Sequence, residues 1–216
     1  ENFPCRYRNQ QEFMDDLQLI HASLSSHGDA NIAQGKLLDL IRLVETFGFF
    51  LMQLDIRQES ARHTDAISDI CKVLPEPIDY ASLDETARQS WLTQALESAP
   101  PLLPHDTLSD ETRQTLEVFE VIHRMQQEVS ENAFGNYVIS MTHTASHILE
   151  VMFLAWLTGL AGRTGEEWFC KVRVSPLFET IDDLNHIEDV LTQLLGNATY
   201  RKLLDCPGKC QEIMLG

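Results

Sequence analysis

The sequence predicts an α/β protein in which strands and helices alternate to build a parallel sheet or barrel. Three observations carry this. Short apolar runs of strand length are separated by amphipathic stretches of helical period. Those stretches end at glycines or begin at capping residues. From Tyr137 onward, strand starts recur about every 35 to 40 residues, close to the length of one βα unit.

Taken in order, Phe13, Leu17, Ile20 and Leu24 lie at helical spacing and stop near Gly28. Leu37, Leu40, Ile41, Val44 and Phe47 form a second stripe that stops at Gly48. The run Phe49 to Leu54 reads as a buried strand, extending to about residue 56, and turns abruptly polar at Asp55, Arg57, Gln58 and Glu59, with Arg62 close behind. A proline-marked stretch from Pro75 to Pro104 encloses a short helix, for which Ser82-Leu-Asp-Glu85 fits a capping box. Ser109 is placed to cap the next helix, which puts Leu116, Phe119, Ile122 and Val129 on one side and is broken by Gly135. Tyr137-Val-Ile-Ser-Met141 reads as a buried strand. A helix over 145–159, a stretch marked by Gly159, Gly162 and Gly165, and a strand from Val172 to Phe178 follow. Thr180-Ile-Asp-Asp183 suits the start of another helix, and Gln211 to Leu215 reads as one more strand. The four strands, near 49–56, 137–141, 172–178 and 211–215, are expected to be parallel neighbours with helices outside. Such sheets place chemistry at strand carboxyl ends, where Asp55, Arg57, Ser140, Thr142 and Glu179 are expected.

Composition narrows the partners. The 216 residues include 33 acidic against 16 basic, a formal net charge of -17, which argues against nucleic acid or an anionic membrane. An anionic ligand would need a local cationic pocket. The longest apolar run, Ile148 to Leu160, carries Glu150 and is shorter than the roughly 20 residues of a membrane span, so it reads as a buried helix. Residues Glu1 to Asn9 hold Arg6 and Arg8 but no signal-peptide core, and the five cysteines (Cys5, Cys71, Cys170, Cys206, Cys210) are an odd set without a secreted framework. A cytoplasmic protein with reduced thiols is expected. The chain begins at Glu1 and no helix follows its last strand, so it reads as a single fragment, 1–216, of a larger catalytic domain, with 1–36 a helical lead-in and 37–216 incomplete barrel units.

Glu45-Thr-Phe-Gly48, Leu54-Asp-Ile-Arg-Gln-Glu-Ser60 with His63, Tyr137-Val-Ile-Ser-Met141, Pro176-Leu-Phe-Glu-Thr180 with Asp182-Asp183-Leu184, and Ile213-Met-Leu-Gly216 together resemble the middle of phosphoenolpyruvate carboxylase. The resemblance runs the length of the chain in order. It implies a predominantly helical protein around an eight-stranded barrel, to which this chain would contribute a partial (β/α)8 TIM-like barrel of about four parallel strands with surrounding helices. It implies carboxylation of phosphoenolpyruvate by bicarbonate to oxaloacetate and phosphate, a step of carbon dioxide fixation feeding the tricarboxylic acid cycle. Mg²⁺ or Mn²⁺ is required, and the full-length family enzyme is a homotetramer. Arg57 matches an arginine that grips the substrate phosphate and Glu179 one of two carboxylates on the metal; a planar guanidinium suits phosphate, and Mg²⁺ takes few protein carboxylates. The family's catalytic histidine lies upstream of the matching region. Its second metal carboxylate, a lysine and the glycine-rich loop with another phosphate arginine lie downstream. The isolated chain is therefore expected to be inactive. His147 stands where the family pattern has an aspartate.

Other readings stand beside these. Arg57 could pair with Asp55 or Glu59, and Glu179 could serve as a first-turn helix carboxylate. Asp182 and Asp183 are expected to serve their helix start only, and His63 a structural hydrogen bond. His143 and His147 have helical zinc spacing but no third ligand, and Cys206-Pro-Gly-Lys-Cys210 lacks the second cysteine pair of a zinc site. The alternatives to a carboxylase segment are a non-catalytic truncated remnant and a helical interaction domain.

Overall fold

The computed structural model describes residues 6–206 and 208–216; Cys5 and Pro207 lie outside the described residues. The chain forms two compact units, Glu1–Gln53 with Met125–Ala133, and Leu54–Arg124 with Phe134–Gly216.

In the first unit, α1 (Gln10–Ser26) is capped by Asn9, whose side chain accepts the Glu12 N–H. A short turn of helix, α2 (Ala30–Ile32), and a stretch at Ala33–Leu37 kinked at Gly35, whose ψ of -133 is not helical, lead into α3 (Leu38–Phe47). Met14, Leu17, Ile41 and Val44 form the core, with Phe13 and Leu37 packed on it. Of the apolar positions expected on these helices, Ile20, Leu40 and Phe47 stay exposed. Gly48 ends α3 at φ 53, where a Cβ would collide with Gln10 and Phe50. The strand expected from Phe49 does not form over 49–53. Leu51 turns the backbone to φ 63 and the Met52 N–H closes onto the Phe50 carbonyl, so the extended run starts only at Leu54.

The second unit holds β1 (Leu54–Glu59), α4 (Ser60–Val73), a 3₁₀ turn at Tyr80–Ser82, α5 (Glu85–Leu96), a second 3₁₀ turn at His105–Thr107, and α6 (Asp110–Glu128). Then come β2 (Phe134–Ser140), α7 (Ala145–Leu157), β3 (Ala161–Thr164), β4 (Glu167–Cys170), β5 (Arg173–Phe178), α8 (Ile181–Gly196), α9 (Ala198–Asp205) and β6 (Met214–Leu215). Four strands pair in the order β1-β2-β5-β6, all parallel, with Arg57 opposite Val138, Ile139 opposite Pro176, and Leu177 opposite Met214. The protein is thus a mostly helical α/β chain whose parallel sheet matches part of a barrel and does not close.

Several boundaries differ from the sequence reading. Asp84, not Ser82, caps α5, accepting the Ala87 N–H, while the Ser82 hydroxyl turns back to the Asp79 carbonyl. Ser109 does cap α6, its Oγ accepting the Thr112 N–H. Gly135 does not break that helix: α6 ends at Glu128, Val129 is exposed, and Gly135 is the second residue of β2. The last strand is limited to Met214–Leu215. An antiparallel hairpin, β3 with β4, occupies the glycine-marked stretch after α7, turning at Gly165 with φ 64.

The core lies between sheet and helices. α7 is buried on all sides from Ile148 to Trp156 and packs against α4, α5 and α8. Phe119 of α6 stacks on Tyr137 of β2.

Candidate functional site

Arg57 and Glu179, 122 positions apart, meet directly: Arg57 Nη2 donates to Glu179 Oε1 at 2.7 Å. Arg57 projects from the fourth position of β1, and Glu179 occupies the two-residue link between β5 and α8. Their side chains are 58% and 28% exposed, so the pair sits at the rim of the sheet. Among the described residues Arg57 makes its ion pair with Glu179 rather than with Asp55 or Glu59. Glu179 is also not a first-turn carboxylate, because it precedes the N-cap Thr180. Asp55 lies at the start of β1, not its carboxyl end, and accepts the Asn136 N–H at 2.7 Å.

The second oxygen of Glu179 is engaged by the backbone. Met141, just past β2, has φ 54, and its N–H donates to Glu179 Oε2 at 3.3 Å. The Met141 carbonyl accepts from Ser60 Oγ at 2.7 Å, and the Thr142 N–H donates to the Leu177 carbonyl at 3.2 Å. The ends of β1, β2 and β5 therefore converge on one carboxylate. Gly216 approaches the same place: its N–H donates to the Phe178 carbonyl, and a Cβ there would lie 3.5 Å from Glu179 Cγ.

Beside this cluster, Thr180 and Asp183 form the expected capping box of α8. Asp183 does more than cap: its Oδ1 lies 2.5 Å from His143 Nδ1. Burial alone would raise the Asp183 carboxyl, but hydrogen bonds from His143 and from the Thr180 side chain and backbone hold it below the usual carboxylate range. His147, at the third position of α7, accepts the His143 N–H on Nδ1 at 3.3 Å, which leaves the proton on Nε2. Burial, then the neighbouring His143, pushes its imidazole down to about 4. The neutral ring at 147 thus gives an acceptor to the N–H of His143, one residue before the N-cap Thr144. The free N–H of α7 is satisfied from elsewhere, by Glu85, whose carboxylate takes both the Ser146 N–H at 2.9 Å and its hydroxyl at 2.6 Å. The local sequence around Glu85 fits a cap of its own helix, so the contact to α7 had no sequence signal.

Two buried groups lie deeper. His63 Nε2 meets the Tyr137 hydroxyl at 2.8 Å, the structural hydrogen bond expected of it, and burial lowers the ring to about 3. Glu150, fully buried in α7, accepts from Thr64 Oγ1 at 2.7 Å and Tyr80 Oη at 2.9 Å. Burial raises its carboxyl to about 7, against those two hydrogen bonds and the more distant Arg88. Among the described residues no three His, Cys, Asp or Glu side chains gather as a metal cluster, and the four described cysteines are unbridged. The zinc readings of His143 with His147 and of Cys206 with Cys210 gain no support.

Glu179 does fit a hard cation as one ligand. It offers carboxylate oxygens at an accessible strand end, and Mg²⁺ commonly takes only one or two protein carboxylates beside water and substrate. No helix of the described residues is long and apolar enough to cross a membrane.

Helices alternating with parallel strands, and polar side chains gathered at strand ends, place the chain among α/β proteins built on a parallel sheet. The chain belongs to the phosphoenolpyruvate carboxylase family, whose model matches residues 3–216. It is 40% identical over 215 residues to a phosphoenolpyruvate carboxylase of Parasynechococcus marenigrum, covering 97% of this chain and 21% of the relative. The same enzyme of Prochlorococcus marinus strain MIT 9515 matches equally at 40%, and that of Gloeobacter violaceus at 39%, with 22% of the relative covered. The chain therefore spans about a fifth of the length of the curated relatives it matches.

Proposed function

We propose that this chain is the segment of a phosphoenolpyruvate carboxylase that contributes part of the phosphate grip and one metal carboxylate to a site completed by the rest of the enzyme. The enzyme is a carbon-carbon lyase that forms oxaloacetate and phosphate from phosphoenolpyruvate and bicarbonate, in the cytoplasm and as a homotetramer. In this reading residues 1–216 are one piece of a larger catalytic domain with a TIM-like barrel. The observation that carries the reading is the Arg57–Glu179 pair. A phosphate-binding arginine and a metal-binding carboxylate must be adjacent if a phosphate and its cation are to share one site, and these two touch.

The contact to Glu179 uses Arg57 Nη2, and the guanidinium fork has five donors, so it can turn toward phosphate oxygens while keeping its charge. Opening the pair is cheap, since exposed ion pairs contribute about 0–1 kcal/mol. Glu179 would hold Mg²⁺ or Mn²⁺, which supplies positive charge opposite the anion that develops on the substrate. Residues upstream and downstream would supply proton transfer and the second carboxylate, so the 216-residue chain alone is expected to give no oxaloacetate above a no-enzyme blank.

The test is Arg57→Ala and Arg57→Lys in a full-length carboxylase containing this segment. Loss of a charge-assisted contact of roughly 1.5–3 kcal/mol should lower kcat/KM for phosphoenolpyruvate by about 10- to 150-fold in the alanine variant. Lysine should recover part, keeping charge without the bidentate fork. Wild-type kinetics in Arg57→Ala would end the phosphate assignment.

A further inference from the structure

We infer that Ser60 is a positioning residue for Glu179, acting through the Met141–Thr142 peptide and so setting how that carboxylate is presented to a divalent cation; the inference rests on the metal role proposed for Glu179. Ser60 opens α4 and is 3% exposed. Ser60 is the first helical residue, following the N-cap Glu59, and no N-cap side chain closes this terminus. The Ser60 hydroxyl donates to the Met141 carbonyl, 81 positions away, at 2.7 Å.

That carbonyl shares a peptide plane with the Thr142 N–H, which donates to the Leu177 carbonyl of β5. The plane is gripped at both edges, by Ser60 from the β1 side and by Leu177 from the β5 side. The grip matters because Met141 has φ 54, a conformation that L side chains avoid and that must be held from outside. With Met141 held there, its own N–H points at Glu179 Oε2, while Arg57 meets Oε1. Both oxygens are fixed, one by backbone and one by a side chain that can swing away. Removing the Ser60 hydroxyl frees one edge of the plane. Met141 can then relax toward negative φ, its N–H leaves Glu179, and the carboxylate loses its fixed orientation.

The test uses a full-length carboxylase containing this segment, with Mn²⁺ as the probe and free Mn²⁺ read by electron paramagnetic resonance. Groups that orient a metal ligand typically change affinity by about 10- to 100-fold. Ser60→Ala should weaken Mn²⁺ binding within that range and raise the Mn²⁺ concentration for half-maximal rate, with kcat at saturating Mn²⁺ and Tm close to wild type. Ser60→Thr, which keeps the hydroxyl, should bind Mn²⁺ nearly as tightly as wild type. Wild-type Mn²⁺ affinity in Ser60→Ala, alongside weakened binding in Glu179→Gln, overturns this inference alone. Unchanged affinity in Glu179→Gln overturns the metal role and this inference with it. A Ser60→Ala loss that tracks a fall in Tm and is not restored by threonine is a folding defect, and also overturns it.

Discussion

Glu179 and Glu150 are both carboxylates held by two partners, but in opposite surroundings. Glu179 lies at the sheet rim, 28% exposed, between a cationic side chain and a backbone N–H. Glu150 is fully buried in α7, hydrogen-bonded by the hydroxyls of Thr64 and Tyr80, with Arg88 more distant. Hydroxyl donors do not repay the desolvation of a charge, so burial raises Glu150 to about 7 and the proton returns near neutrality. The difference teaches that a carboxylate at the rim, paired with a side chain that can swing away, stays open to exchange of partners, whereas one buried among hydroxyls is a structural group. Glu150 should therefore matter to stability, and Glu179 to ligands.

The sharpest test of that contrast is Glu150→Ala, which strands the Tyr80 and Thr64 hydroxyls and leaves a cavity in α7. Denaturant unfolding should show a loss of about 3–4 kcal/mol. A loss below 1 kcal/mol, roughly that of an exposed pair, would erase the distinction.

Somewhat smaller is the pH effect. The folded pKa of Glu150 is raised from 4.5 to about 7, so between those values the folded chain keeps a proton that the unfolded chain has released. Stability from this group is complete below about 4.5, falls as pH rises toward 7, and is then flat, roughly 3 kcal/mol in all. Glu150→Gln cannot titrate. The stability of wild type minus that of the variant should fall by that amount across the window; a difference independent of pH would contradict the buried, protonated carboxyl.

At the N-terminus of the same helix, Glu85→Ala should remove the carboxylate that holds Ser146, for about 1–2 kcal/mol by thermal or denaturant unfolding. Should that variant prove as stable as wild type, α7 would owe nothing to its cross-helix cap. The smallest stability effect is expected at the rim: Arg57→Ala should shift unfolding by under about 1 kcal/mol, since the pair is exposed. A larger destabilisation there, with unchanged phosphoenolpyruvate kinetics, would make Arg57 a structural residue.

Much of the frame was legible because its signals are local. Thr180 with Asp183 and Ser109 with Thr112 are caps written within three residues, and the apolar run Ile148 to Leu160 announced a buried helix. From β2 onward the parallel strands followed from βα spacing, and β1 from its apolar run and the polar switch after it. What failed was decided by single backbone angles or by distant partners. The turn at Gly48 and Leu51 moved the start of β1 to Leu54, which apolar content alone does not reveal. The β3–β4 hairpin was hidden by its glycines, although Gly165-Glu166 between Ala161-Gly-Arg-Thr164 and Glu167-Trp-Phe-Cys170 is a two-residue turn that the pattern allows. At the site, motif resemblance singled out Arg57 and Glu179, but their contact, like those of Ser60 with Met141 and Glu85 with Ser146, spans 61 to 122 positions and has no local signature.

The order in which β1 finds its neighbour has a consequence during synthesis. Asp55 and Asn136, joined across β1 and β2, are 81 residues apart, and translation at about 5–20 residues per second separates the two strands by roughly 4–16 seconds. A greasy strand left that long beside the ribosome would recruit other nascent chains. β1 is Leu-Asp-Ile-Arg-Gln-Glu, with charges at Asp55, Arg57 and Glu59, and its residues remain largely exposed even after pairing. The charges of β1, among them the Arg57 that meets Glu179 at the rim, keep this strand from presenting a bare apolar edge until β2 is made.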